Sequence, residues 1–66
     1  MAWYLEIYDR DGGLLSSENG ATYDAVLDAA KACRSGDFGS VRFIGPVDAT
    51  PAQLQALEEL GAERSS

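Results

Sequence analysis

The most regular stretch of the chain is Ala2-Trp-Tyr-Leu-Glu-Ile-Tyr-Asp9, which is rich in residues that favour β-structure. Successive side chains of a β-strand point to opposite faces of a sheet, so the alternation divides this segment into two faces. One face carries Trp3, Leu5 and Ile7, and the other carries Tyr4, Glu6 and Tyr8. We therefore expect a strand with one apolar face that the rest of the chain must cover.

The residues after this strand predict a hairpin. Asp11-Gly12-Gly13 is a suitable turn, because glycine adopts positive φ without steric cost. A return strand is expected over residues 14–18, and Glu18 would lead into the next loop. Asn19-Gly20 would suit a second turn, but no alternating strand follows it.

Two helices and a third strand are predicted from capping residues and glycines. Thr22 is a suitable N-cap for a first helix, which Ser35-Gly36 should end. The third strand is expected over residues 40–45. Thr50-Pro51-Ala52-Gln53 then predicts a second helix, with a capping box and proline in the first helical position. Gly61 should end that helix, and the tail over residues 63–66 is expected to fray.

These elements predict one compact α+β domain over residues 1–66, in the order strand-strand-helix-strand-helix. The three strands would form a small antiparallel sheet in the order 2-1-3, because a crossover from the second strand can place the third beside the first. The expected core consists of Trp3, Leu5, Ile7, Val26, Leu27, Ala30, Val41, Phe43, Leu54, Leu57 and Leu60, joined by Val47.

The composition argues against an enzyme, a cofactor or a metal site. The 66 residues include no histidine and a single cysteine. The chain therefore lacks the side chain best suited to proton transfer near neutral pH, and it cannot form an internal disulfide or a thiolate zinc site. Cys33 lies at the edge of the apolar stripe of the first helix, so we interpret it as a small core residue rather than a reactive thiol.

The charge balance predicts a basic protein partner. Eleven acidic residues against five basic ones give a net charge of −6. Such a chain is repelled by nucleic acid and by anionic membrane surfaces, so direct binding to either is not expected. The absence of a long apolar run and of a signal-like N-terminus, together with the single cysteine, predicts a reducing, cytoplasmic setting. The alternative is that the acidity only keeps the protein soluble.

Two acidic sets and one aromatic pair are the candidate partner-binding residues. The first set is Asp9, Asp11, Glu18, Asp24 and Asp28, and the second set is Glu58, Glu59 and Glu63. Tyr4 and Tyr8 could add apolar anchoring, because tyrosine is over-represented in interface hot spots. Each feature also has a simpler interpretation: exposed carboxylates can be a solvated face, and strand tyrosines can stabilise a sheet through cross-strand pairs.

In length, charge and element order the whole chain resembles the small anti-CRISPR proteins of phages and mobile elements. It is most similar to the type I-C inhibitors that act on the Cascade effector. The resemblance implies a non-enzymatic DNA mimic, whose carboxylates occupy the effector site that normally recognises the protospacer-adjacent motif in duplex DNA. The alternative is a small acidic interaction or regulatory domain, which could form a homodimer.

Overall fold

The computed structural model describes residues 2–65 and places the first strand at the centre of a sheet. The strands are β1 (Trp3–Tyr8), β2 (Leu14–Ala21), β3 (Ser40–Ile44) and β4 (Glu63–Arg64). β1 pairs antiparallel with both β2 and β3, and β4 runs parallel to β3. The sheet order is β2-β1-β3-β4, which confirms the predicted arrangement of the first three strands.

Two helices complete the α+β fold, and their capping residues act as the sequence predicted. They are α1 (Tyr23–Arg34) and α2 (Pro51–Glu59). The Thr22 hydroxyl accepts a hydrogen bond from the Ala25 N–H at the start of α1. At the start of α2, Thr50 and Gln53 form both hydrogen bonds of a capping box.

The glycines that follow the helices also have the predicted conformation. Gly36, after α1, and Gly61, after α2, have φ of 95° and 92°. In this left-handed region a side chain would be strained, which is why glycine suits these positions.

One hydrophobic core lies between the sheet and the helices. Its buried members are Trp3, Leu5, Ala21, Val26, Ala29, Ala30, Val41, Phe43, Leu57 and Ala62. The remaining predicted members Ile7, Leu27, Leu54 and Leu60 are partly buried and pack around this core. Cys33 and Phe38 occupy similar positions at its edge, so the interpretation of Cys33 as a packing residue agrees with its placement.

The prediction that Val47 belongs to the core is wrong. Its side chain is fully exposed, whereas Ala49 packs against the core. The reason is the turn between them, in which the Ala49 N–H donates to the Pro46 carbonyl at 3.0 Å. This turn directs the smaller residue inward, next to Trp3 and Gly45.

The sheet contains a longer second strand and one more strand than predicted, and it is mixed rather than purely antiparallel. β2 continues to Ala21, past the expected end at Glu18, because Ala21 and Asn19 pair with Trp3 and Tyr4 of β1. The expected frayed tail instead forms β4, and the Ser65 N–H donates to the Phe43 carbonyl at 2.9 Å. Ser66 lies outside the described residues.

The two helices lie side by side and run in the same direction. Near their starts, Thr22 and Tyr23 of the first helix line the same surface depression as Thr50 and Gln53 of the second. At their ends, the Arg34 guanidinium donates to the carbonyl of Glu59 at 3.1 Å. The helices therefore form one layer on one face of the sheet, and this layer determines how the acidic side chains are presented.

Candidate functional site

The outer surface of the helical layer carries acids from both predicted sets. We call it the helical acidic surface, defined by Asp24, Asp28, Glu58 and Glu59, all of which are exposed. Asp24 lies in the first turn of α1, and Glu58 and Glu59 lie at the end of α2. Asp28 lies one turn after Asp24 on α1. These four carboxylates belong to one side of the molecule.

The remaining acids of the two sets lie elsewhere. Glu18 is an exposed residue of β2, directly opposite Leu5, and not part of a loop. Asp11 is exposed in the hairpin turn. Glu63 lies on β4 beside Arg42, with 3.4 Å between its Oε2 and the arginine Nε. The structure therefore does not bring all eight predicted acids together.

Asp9 has a structural role in the hairpin turn. Its Oδ1 accepts hydrogen bonds from the N–H groups of Asp11 at 2.9 Å and Gly13 at 2.8 Å. Side chains of aspartate commonly stabilise turns in this way. A Cβ on Gly13 would lie 3.1 Å from the Asp9 carboxylate, so the turn fits closely around it. The carboxylate of Asp9 is thus already used in shaping the turn.

The opposite side of the sheet presents a different group of side chains. We call it the open face, defined by Tyr4, Glu6, Tyr8, Arg42 and Ile44. The Tyr4 hydroxyl donates to Oε2 of Glu6 at 2.8 Å, and the Tyr8 hydroxyl donates to Oε1 at 2.9 Å. The hydroxyl groups of both predicted tyrosines therefore donate hydrogen bonds to the same carboxylate.

These hydrogen bonds change the ionisation of the tyrosines. The bond to the Glu6 carboxylate is the main reason that the pKa of Tyr4 and the pKa of Tyr8 are raised above the ordinary tyrosine value. Desolvation and the negative charge of Glu6 act in the same direction. Both hydroxyls are therefore protonated donors at neutral pH.

The cation of the open face, Arg42, forms no ion pair with Glu6. Arg42 lies directly opposite Glu6 in the pairing of β1 with β3, a position from which cross-strand ion pairs are common. Its guanidinium instead contacts Glu63 and lies 5.8 Å from the centre of the Tyr8 ring. Among residues 2–65, Arg42 with Glu63 is the one ion pair, so Glu6 is held by tyrosines without a cation.

Glu6 is the site residue that the sequence analysis missed. The signal was present as Tyr4-Leu-Glu6-Ile-Tyr8, since residues at i−2 and i+2 of a strand lie on the same face as residue i. Two hydroxyls flanking a carboxylate at that spacing can both reach it. The expectation that Tyr4 and Tyr8 act as apolar anchors accounts for their rings but not for their hydroxyl groups.

The basic side chains leave most of the negative charge without a partner. Arg10 donates to the carbonyl of Gly36, and Arg34 donates to that of Glu59. Neither guanidinium is paired with a carboxylate of residues 2–65. The fold therefore uses these cations to connect its elements, while the acids of the helical acidic surface face solvent.

The described residues contain neither a metal-binding cluster nor a membrane-spanning helix. Within residues 2–65 there is no group of three or more acidic or cysteine side chains that could hold a metal ion. None of the helices in this range is long and apolar enough to cross a bilayer.

Comparison with protein-family models, curated proteins and solved structures found no match to this chain.

Proposed function

We propose that this protein is a non-enzymatic inhibitor that binds the basic DNA-recognition site of a protein effector and blocks target DNA by mimicking its charge. The effector we propose is a CRISPR Cascade complex of type I-C, which would be blocked where it recognises the protospacer-adjacent motif. The protein would then act in the cytoplasm of a bacterial host, without a cofactor or direct contact with nucleic acid.

The observation that supports this proposal is the exposure of four carboxylates on the helical layer, none of which forms an ion pair within residues 2–65. The molecule has a net charge of −6, and the four carboxylates of the helical acidic surface are exposed on two packed helices. DNA-binding clefts present lysine and arginine to phosphates. Carboxylates on a folded scaffold can meet the same cations through charge-assisted hydrogen bonds.

Competition with target DNA tests this function directly. A type I-C Cascade complex is bound to a fluorescent duplex carrying its protospacer-adjacent motif, and the protein is added at increasing concentration. We expect stoichiometric displacement of the duplex, measured by anisotropy, and much weaker displacement by the variant with Asp24→Lys and Asp28→Lys. An effector that binds its duplex equally well at saturating protein would exclude this effector as the target.

The second candidate is a homodimeric interaction domain, and the edge of the sheet favours it. β2 is an eight-residue edge strand with every residue except Ala21 exposed. Leu14 and Leu15 on this strand are 56% and 55% exposed. An edge strand of this length without proline or lysine is a template for pairing with another chain. Sedimentation equilibrium would reveal such a dimer, and Leu15→Lys should then dissociate it.

A further inference from the structure

We propose that the open face of the sheet is a receptor for an arginine side chain of the protein partner, with the Glu6 carboxylate as the acceptor and Tyr4 and Tyr8 as its walls. This inference deepens the proposed function by naming a second contact, on the face opposite the helical acidic surface. It concerns a protein cation, because a phosphate or another anion would be repelled by Glu6.

The first argument is that Glu6 is oriented before any partner binds. Each of its oxygens accepts one tyrosine hydroxyl, at 2.8 and 2.9 Å. A carboxylate oxygen can accept two hydrogen bonds, so one acceptor position on each oxygen is left for an external donor. Because the tyrosines already fix the carboxylate, a partner would lose little affinity in ordering it.

The second argument is that the charge of Glu6 is not matched within the described residues. Arg42 is positioned opposite Glu6, yet its guanidinium pairs with Glu63 at 3.4 Å. Both members of that pair are about half exposed, so the neighbouring positive charge is reduced by its own partner and by solvent. The open face therefore offers an anion to an incoming cation.

The third argument concerns which cation fits. A guanidinium can donate two parallel hydrogen bonds to the two oxygens of a carboxylate, whereas a lysine ammonium acts as a point charge. Guanidinium groups also stack on aromatic rings. A carboxylate between two tyrosines supplies both interactions, and Arg42 already lies over the Tyr8 ring. Arginine is therefore preferred over lysine.

The open face is accessible for such a contact. α1 packs against β1 and β3 through the apolar residues of the core, which lie on the other face of the sheet. A shallow cavity of about 240 Å³, lined by Tyr8, Gly12, Ser40 and Arg42, adjoins the tyrosine. The aliphatic part of an arginine side chain could lie along this cavity while its guanidinium reaches Glu6.

The experiment uses two blocked tetrapeptides as probes, acetyl-Arg₄-amide and acetyl-Lys₄-amide, which carry the same charge. Amide chemical shifts of the ¹⁵N-labelled protein are followed during each titration. We expect the arginine peptide to bind more tightly and to perturb Tyr4, Glu6 and Tyr8. Glu6→Gln should weaken its binding at least about tenfold, because a hydrogen bond between charged groups is lost.

The matched control is Asp48→Asn, which removes one charge from an exposed loop residue outside both surfaces. We expect it to change binding of the arginine peptide less than about twofold. Equal effects of Glu6→Gln and Asp48→Asn, or equal affinity for the two peptides, would overturn the proposal. The wild-type shift map is a second measurement that needs no variant: shifts confined to the helices would overturn it as well.

Failure of this inference and failure of the proposed function give different results. If Glu6→Gln competes with target DNA as well as wild type does, the function stands and the open face is not used. If the arginine peptide binds at Glu6 but no effector releases its duplex, the arginine receptor stands and the proposed effector is wrong.

Discussion

At the scale of single residues, three carboxylates illustrate how position determines the use of the same chemical group. Asp9 accepts two backbone N–H groups within a turn. Glu6 accepts two tyrosine hydroxyls on the open face. Asp28 faces solvent on α1. A partner that drew the Asp9 carboxylate away would break the hydrogen bonds of its turn, so charge counted from the sequence overstates the number of carboxylates that are free to reorient toward a partner.

The hydrogen bonds to Glu6 predict a measurable pH dependence. The raised pKa values of Tyr4 and Tyr8 mean that the folded state holds these two protons more tightly than the unfolded state does. The associated stability is fully present below the ordinary tyrosine pKa of 10.0 and is lost as the pH rises through the folded-state values. We expect ultraviolet titration of the native protein to show two tyrosines that ionise later than the tyrosines in denaturant.

The control for this titration is Glu6→Gln, which keeps an acceptor but removes the charge. We expect the delayed ionisation to move back toward that of the denatured protein. If the native tyrosines of the wild type ionised together with those in denaturant, Tyr4 and Tyr8 would not be bound to Glu6 in solution.

At the scale of elements, the sequence correctly predicted the helices and strands whose ends depend on interactions between residues close together in the chain. Both helices begin at the predicted threonine caps, because a hydroxyl that accepts a backbone N–H needs only residues within one turn. The extension of β2 could not be predicted in this way. Asn19-Gly20 resembles a turn locally, but in the sheet it lies where the register with β1 shifts, and Gly20 adopts a φ of 88°.

β4 was missed because it depends almost entirely on distant residues. It has two residues, and its partners Arg42 and Phe43 are about twenty positions earlier in the chain. No periodicity can be recognised over two residues. The turn at Gly61 and the burial of Ala62 direct the following residues along β3. In the sequence alone, residues 63–66 are only a short polar tail.

This dependence gives a prediction for the tail. A variant that ends at Ala62 loses the backbone hydrogen bonds of β4 and the bond from Ser65 to the Phe43 carbonyl. We expect the free energy of unfolding to fall by about 1–3 kcal/mol, since each such bond contributes about 1 kcal/mol. Glu63→Gln is the control, because it removes only an exposed ion pair and should cost less than about 1 kcal/mol. Urea unfolding of the two variants measures both values. Equal stability of the truncated and full-length proteins would mean that β4 does not stabilise the fold.

At the scale of the whole molecule, the fold separates two chemically different surfaces. The helical acidic surface presents carboxylates on the outside of two parallel helices. The open face presents two aromatic rings around the Glu6 carboxylate, beside the ion pair of Arg42 and Glu63. The sheet and core between them keep the two surfaces on opposite sides. A partner that uses both must therefore surround the molecule, as a DNA-binding cleft surrounds a duplex.

The charge of the helical acidic surface can be tested separately from net charge. Asp24→Lys with Asp28→Lys changes the net charge by four units, from −6 to −2. Asp37→Lys with Asp48→Lys makes the same change at two exposed loop residues outside the proposed interface. Neither pair contributes to the core, so both variants should fold, although lysine in the first turn of α1 opposes the helix dipole by about 0.3–1 kcal/mol.

The two variants should differ in binding to the basic effector site. At the helical acidic surface each reversal replaces an attraction by a repulsion at close range, and we expect affinity to fall by about 100-fold or more. The loop variant loses only long-range attraction, which is screened beyond about 8 Å at physiological salt, so its affinity should fall less than about fivefold. Wild-type affinity should itself decrease steeply between 50 and 200 mM salt. Equal losses in the two variants would show that net charge alone attracts the partner, because a specific charged surface must depend on where its carboxylates are placed.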